Sequence, residues 1–164
     1  MAEYDGQLYA ADRNSPSIHV YHCITWERLR SITPPCSDSK HEVDLYDHII
    51  SVSSSGIKLS YWDFNKIYVL DPHGTLNETH SPHILPILSS TSASEYSTDH
   101  SKLNGPRICQ QDDDGAVLVA DFMNNRILIL TSTGHWRQVK LNGELQRPND
   151  AVWLNGTLYE STQG

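Results

Sequence analysis

The sequence predicts an all-β chain built from β-propeller blades of four antiparallel strands, and three observations carry that prediction. One pattern occurs three times. Residues 114–134 read DGAVLVADFMNNRILILTSTG: an Asp-Gly turn, an apolar run closing on Asp121, a polar turn, then a second apolar run closing on Gly134. Residues 5–21 (DGQLYAADRNSPSIHVY) and 55–74 (SGIKLSYWDFNKIYVLDPHG) repeat the order of parts. The spacing is the second observation. Gly6, Gly56, Gly115 and Gly156 lie 50, 59 and 41 residues apart. A four-stranded blade takes about 40–45 residues, so the last interval fits a bare blade and the first two fit blades carrying insertions. Third, Leu118, Val119 and Ala120, and again residues 127–130, are apolar at every position. A strand covered on both faces reads that way, whereas a half-exposed one alternates.

Within each unit the runs are short, rich in Val, Ile, Leu and Tyr, and bounded by Gly, Asn and Asp, which is strand chemistry. A further strand follows at 135–141, where HWRQVKL alternates, with a counterpart at 26–32 (WERLRSI). Alternation suits the outer strands of a blade, which keep one face in solvent. Residues 33–43 have turn chemistry and no period. Residues 75–104 are rich in Ser, Thr, His and Pro, a composition that buries little apolar surface, and read as a long surface loop. Its short run at 84–88, broken by Pro86, fits an edge strand or a patch that packs back. The chain is thus expected as one domain over 1–164, with about three complete blades and the start of a fourth in an incomplete ring.

The 164 residues carry 12 basic and 20 acidic side chains, for a net charge of −8. That balance repels phosphate backbones and disfavours nucleic-acid partners. Cys23, Cys36 and Cys109 are odd in number and form no CxxC, so they read as reduced thiols rather than a disulfide or zinc framework. No apolar stretch approaches the roughly 18 residues that span a membrane, and MAEYDGQLYAADR lacks the basic lead and apolar core of a secretion signal. The expectation is a cytoplasmic protein with no membrane contact.

Candidate chemistry is sparse. Asp12, Asp63 and Asp121 each close a first apolar run. They fit either a ring of carboxylates or, more simply, side chains accepting N–H groups of the turns they open. Once-per-blade repetition favours the turn role. His80 and His83 have ligand-like spacing without a third partner, and Asp112, Asp113 and Asp114 read as a polar turn. There is no G-x-S-x-G and no phosphate-binding glycine loop. No catalytic residue, metal or cofactor is expected, and the chain is expected not to be an enzyme. What remains is surface. The turns at Arg13 and Asn14, at Phe64 and Asn65, and at residues 122–125 should share one face of the ring. Exposed apolar side chains in matched loops point to binding, although Phe64 and Phe122 also fit blade-to-blade packing.

Gly105-Pro106-Arg107-Ile108, the DGAVLVAD run, Asn125-Arg126-Ile127 and Gly134 together resemble an NHL repeat. Arg147-Pro148-Asn149-Asp150-Ala151-Val152, followed by Asn155 and Gly156, resembles the start of the next. The first two copies are degenerate: Ile18 lacks a preceding Arg, and Lys66 stands where Arg126 stands. The resemblance implies a protein-interaction scaffold whose loops meet a protein partner through Phe64, Arg107, Phe122, Met123, Asn124 and Arg126. It further implies a parent of the tripartite-motif ubiquitin-ligase kind, in which such a propeller picks substrates. Propellers of the gluconolactonase and paraoxonase kind are also similar and carry an Asn after a Pro as a calcium ligand. Asn149 matches that position, so a calcium-dependent lactonase is the alternative. RNA binding, as in some NHL proteins, is the third reading.

NHL propellers usually have six blades, so three and a fraction would leave two sheet faces uncovered. Marginal stability or self-association of the isolated chain is the expected outcome. Size-exclusion chromatography with light scattering checks it, and a monodisperse monomer with cooperative unfolding would refute the open arc.

Overall fold

The computed structural model describes residues 1–11, 17–34, 49–61, 65–80, 102–112, 114–141 and 143–162. Among these described residues the regular structure is all β apart from one 3-10 turn at Phe122–Asn124. Sheet 1 contains β1 (Ala2–Tyr4), β2 (Gln7–Ala11), β3 (Ile18–His22) and β4 (Arg28–Ile32). Sheet 2 contains β5 (Ile49–Ser53), β6 (Gly56–Tyr61), β7 (Lys66–Leu70) and β8 (Leu76–His80). Sheet 3 contains β9 (Pro106–Gln111), β10 (Val117–Asp121), β11 (Arg126–Leu130) and β12 (Trp136–Gln138). A fourth, two-stranded sheet pairs β13 (Pro148–Leu154) with β14 (Thr157–Thr162). Every sheet is an antiparallel meander in chain order. Successive sheets meet chiefly along their first strands, β5 against β1 and β9, and β9 against β13, so those strands are the inner ones of stacked blades.

The apolar runs stack these sheets. Tyr9, Ile18, Val20 and Ile32 of sheet 1 pack on Ile50, Ile57, Leu59 and Leu70 of sheet 2. Ile67 packs with Leu103, Ile108, Val117, Val119, Leu128 and Leu130. Leu118, Ala120 and Ile127 turn the other way, onto Ala151 and Leu158 of the fourth sheet. All five residues of β10 are buried because odd and even positions cover different neighbours. That is the origin of its unbroken apolar run.

The turns follow one design. The N–H of Asp71 meets the carbonyl of Thr75 at 2.8 Å, Asp112 meets Ala116 at 2.9 Å, and Thr131 meets His135 at 2.8 Å. In each, the first residue's side-chain oxygen also accepts the last residue's N–H, at 2.8, 2.7 and 3.0 Å respectively. Asp and Thr do this because their oxygens reach a backbone N–H a few residues on. Asn155 and Gly156 both have positive φ, 50° and 78°, which lets two residues close the β13–β14 hairpin.

The reading of 75–104 as a loop is corrected at both ends. Leu76–His80 forms β8 against β7, and Leu103 is buried. An outer strand needs only a backbone partner, so LNETH carries too few apolar residues to announce itself. The middle of that insertion, with the run 84–88, lies outside the described residues. The strand expected from Trp26 begins at Arg28, because Trp26 sits at φ 60° in the preceding turn. Among the described residues, no helix is long and apolar enough to cross a membrane.

Gly56 opens β6 at φ +115°, and a Cβ there would stand 2.3 Å from the Leu70 carbonyl oxygen. Gly56→Ala is therefore expected to destabilise the chain by more than about 1 kcal/mol. Leu128→Ala, at a fully buried site, should cost about 2–5 kcal/mol. Urea unfolding followed by circular dichroism measures both.

Candidate functional site

The meander puts two kinds of turn on two rims. One rim carries the tight turns after β1, β5, β9 and β13, together with the turns at 71–75 and 131–135. The other carries the β10–β11 turn, and on this side the chain leaves β4 and β8 and enters β5, β9 and β13. Of the sequence-predicted binding residues, Arg107, Phe122, Met123, Asn124 and Arg126 lie toward this second rim.

Asp121 organises it. Its side chain is fully buried, and Oδ1 accepts the Asn104 N–H at 2.6 Å. Oδ2 takes the Arg126 Nε–H at 2.7 Å and the Asn124 Nδ2–H at 2.9 Å. Asn124 and Arg126 also donate to the Lys102 carbonyl, at 2.8 and 3.0 Å. Burial raises the Asp121 carboxyl above its ordinary value, while the Arg126 charge and the Asn104 N–H pull it down. Asp121 thus accepts a backbone N–H as expected, but from the strand-entry segment 17 residues upstream rather than from the turn it opens. Asp12 and Asp63 lie outside the described residues.

Asparagines at left-handed positions join one sheet to the next. Asn65 (φ 51°) accepts the Gly105 N–H at 2.9 Å, and Asn125 (φ 52°) accepts the Arg147 N–H at 2.8 Å. Asn is among the few residues that adopt this conformation readily and can still accept a hydrogen bond. Gly105 in turn offers its carbonyl to the Phe122 N–H at 3.4 Å, and Asn104 offers its own to Met123 at 3.0 Å. The Asn65 and Phe122 turns therefore meet at one strand entry, as the matched-turn reading expects. The sequence reading did not find the asparagine contacts, whose only signal is an Asn at the same place in two repeats.

The predicted residues divide by burial. Phe122, Asn124 and Arg126 are 5%, 4% and 4% exposed. This corrects their placement on an open surface: they hold the turn to β9 from inside. Arg107 and Met123 keep partial exposure. The Arg107 guanidinium lies 5.2 Å from the Phe122 ring centroid and donates from Nη1 to Asn149 Oδ1, bridging β9 and β13. Phe64 lies outside the described residues. The Asn149 oxygen, which the lactonase reading would give to calcium, faces a cation already. Among the described residues, no group of three His, Cys, Asp or Glu side chains is placed to hold a metal ion. His83 and Asp113 are not among those residues. Cys109 lies against the third core cluster, and burial pushes its thiol up to about 12, leaving almost no thiolate at neutral pH.

Stacked four-stranded meanders whose first strands lie together define a β-propeller. No protein-family model matches the chain, and no curated protein matches it by sequence. Solved structures do match. Virginiamycin B lyase from Staphylococcus aureus superposes with a TM-score of 0.62 at 15% identity, covering 98% of this chain and 47% of that one. A catalytically inactive histidine-to-alanine variant of that lyase with quinupristin gives 0.63 at 15%, over the same shares. A streptogramin B lyase gives 0.59 at 18%, over 99% of this chain and 53% of that one. A functionally unknown protein from Desulfotomaculum acetoxidans gives 0.55 at 16%, over 90% and 42%. The chain spans about half the length of these structures. The expectation that it is not an enzyme is corrected by the lyase matches: propellers like this one include enzymes, so the fold gives no reason to set catalysis aside.

Removing one partner of the Asp121–Arg126 pair leaves a buried charge uncompensated. Arg126→Met and Asp121→Asn are each expected to cost about 3–5 kcal/mol. The double variant should cost less than the sum of the two, because neither charge remains. Urea titration of the four proteins closes this cycle; additive losses would show that the pair is not coupled.

Proposed function

We propose that the chain is an NHL-type propeller segment that presents the rim around Arg107 and Met123 to a protein partner. The carrying observation is Arg107, partly exposed, stacked on Phe122 and tied to Asn149 of the next sheet. A guanidinium held by its neighbours loses little freedom on binding, and Arg backed by an aromatic ring is a common anchor at protein interfaces. Buried Asp121, Asn124 and Arg126 support the reading by fixing the turn that carries Met123. In a longer parent this surface would choose the substrates of a ligase, as the NHL resemblance implies. A second reading comes from the solved lyases: the same propeller, within a longer chain, is a lyase that takes a ligand such as quinupristin.

Crosslinking separates them. A photo-reactive phenylalanine derivative at position 123 should capture a discrete protein from cell extract, while the same group at Ser54 on the opposite rim should not. Arg107→Ala should lower the yield by about tenfold or more at unchanged melting temperature. Equal yields from the two rims would defeat the scaffold reading. Loss of quinupristin above a heat-treated control, followed by chromatography, would put the catalytic reading in its place.

A further inference from the structure

On the opposite rim, sheets 2 and 3 enclose a polar cluster that the proposed function does not use. Ile57 and Leu59 of β6 face sheet 1, so alternation turns Lys58 and Ser60 toward sheet 3. The Ser60 hydroxyl accepts the Ile108 N–H of β9 at 3.3 Å, which fixes that orientation. Lys58 is 4% exposed. Its Nζ lies 2.9 Å from the Ser55 hydroxyl. Asp112 acts on it electrostatically. A buried ammonium has three donors to satisfy and a large desolvation cost. Among the described residues, one hydroxyl and the field of one carboxylate bear on it, and burial lowers the Lys58 pKa. Once it has lost its proton, the amine can take one from the Ser55 hydroxyl beside it.

Ser55 stands at the tip of the β5–β6 turn and is exposed. A second hydroxyl orients it: Ser53 Oγ lies 2.8 Å from Ser55 Oγ and accepts the Ser55 N–H at 3.1 Å. Gln111 of β9 in turn hydrogen-bonds Ser53 and Ser51. Gly115 makes the room. A Cβ there would sit 2.7 Å from Ser55 Oγ. A hydroxyl on an exposed residue, a buried amine within hydrogen-bond reach and a third group holding the hydroxyl form the arrangement of an activated nucleophile.

We propose that Ser55 and Lys58 form a serine–lysine dyad that cleaves carboxylic esters, with Ser55 Oγ as nucleophile and Lys58 Nζ as general base. The Ser55 O–H bond breaks as Oγ bonds to the ester carbonyl carbon, and the proton passes to Nζ. The C–O bond to the alcohol then breaks, and the alcohol leaves with the proton that Lys58 carries. Water, deprotonated in turn by Lys58, cleaves the acyl-serine to a carboxylic acid and restores Ser55 and the neutral amine. No oxidant, metal or second cofactor enters the balance.

A fluorophosphonate probe tests the nucleophile directly, because it bonds to an activated serine and stays there. Intact-chain labelling followed by peptide mass spectrometry should place the adduct on Ser55 and lose it in Ser55→Ala. Lys58→Met, which keeps the apolar bulk, and Lys58→Arg, which keeps a charge that cannot accept a proton, should each label about a hundredfold more slowly or worse. Circular dichroism confirms that each variant is folded. Absence of an adduct at Ser55 in the unaltered chain overturns the proposal, whatever the variants do. Labelling of a folded Lys58→Met at the unaltered rate overturns the role of the base.

Discussion

A sheet that is apolar on both faces has to be covered twice, and the rest of this molecule follows from that constraint. Val117 and Val119 need sheet 2, while Leu118 and Ala120 need the fourth sheet. No single four-stranded meander can supply both. The chain meets the demand by repetition, turning each meander so that its first strand lies beside those of its neighbours. Burial at roughly 25 cal/mol per Å² of apolar surface drives the stacking, but it has no direction and does not by itself fix one blade's angle on the next. The left-handed asparagines add direction. Each takes an N–H at the following strand entry, which sets where the next sheet begins.

This division of labour explains why the β10–β11 turn is held in place and yet half hidden. The β10–β11 turn is short of internal backbone partners, and its N–H groups go to Asn104 and Gly105 instead. Asp121 is buried to hold that same segment, and Arg126 is buried because Asp121 is. Burying two charges costs more than most pairs return, so the pair contributes fixed geometry more than net stability. Arg107 and Met123 remain partly open beside it, and the Arg107 guanidinium lies over the buried Phe122 ring.

Much of the architecture was legible in the sequence because double burial writes itself as unbroken apolar runs. The hairpins β6–β7 and β10–β11 were readable for that reason. β8 was not, since LNETH lies at the outside of its blade and is held by backbone bonds that any residue can make. β1 and β5 were not assigned either; they are short inner strands without the paired turn that marks the repeats. The site was legible in part. Repeated Asp121 pointed to a turn anchor, and the structure agrees that it accepts a backbone N–H. The burial of Asn124 and Arg126 was not visible, because Asn and Arg in a turn look like surface until their partner at Lys102, more than 20 residues away in sequence, is known.

Repetition also offers a way to weigh departures from it. Where all copies agree, the common cause is the common fold, as with the Asp and Thr residues that close the turns. Sheet 2 departs where it meets sheet 3. Sheet 1 fills its contact with the next sheet using Tyr9, Ile18 and Val20, and sheet 3 uses Leu118, Ala120 and Ile127. Sheet 2 presents Lys58 and Ser60 beside Ile67 on the corresponding face, with Gln111 and Gly115 across from them. Packing alone would not select a lysine there: an apolar side chain would fill the same contact without the cost of burying an amine. Sheet 1 also brings a basic side chain to its contact with sheet 2, where Arg30 donates to Gln7, Tyr9 and the Pro72 carbonyl; Lys58 has the Ser55 hydroxyl.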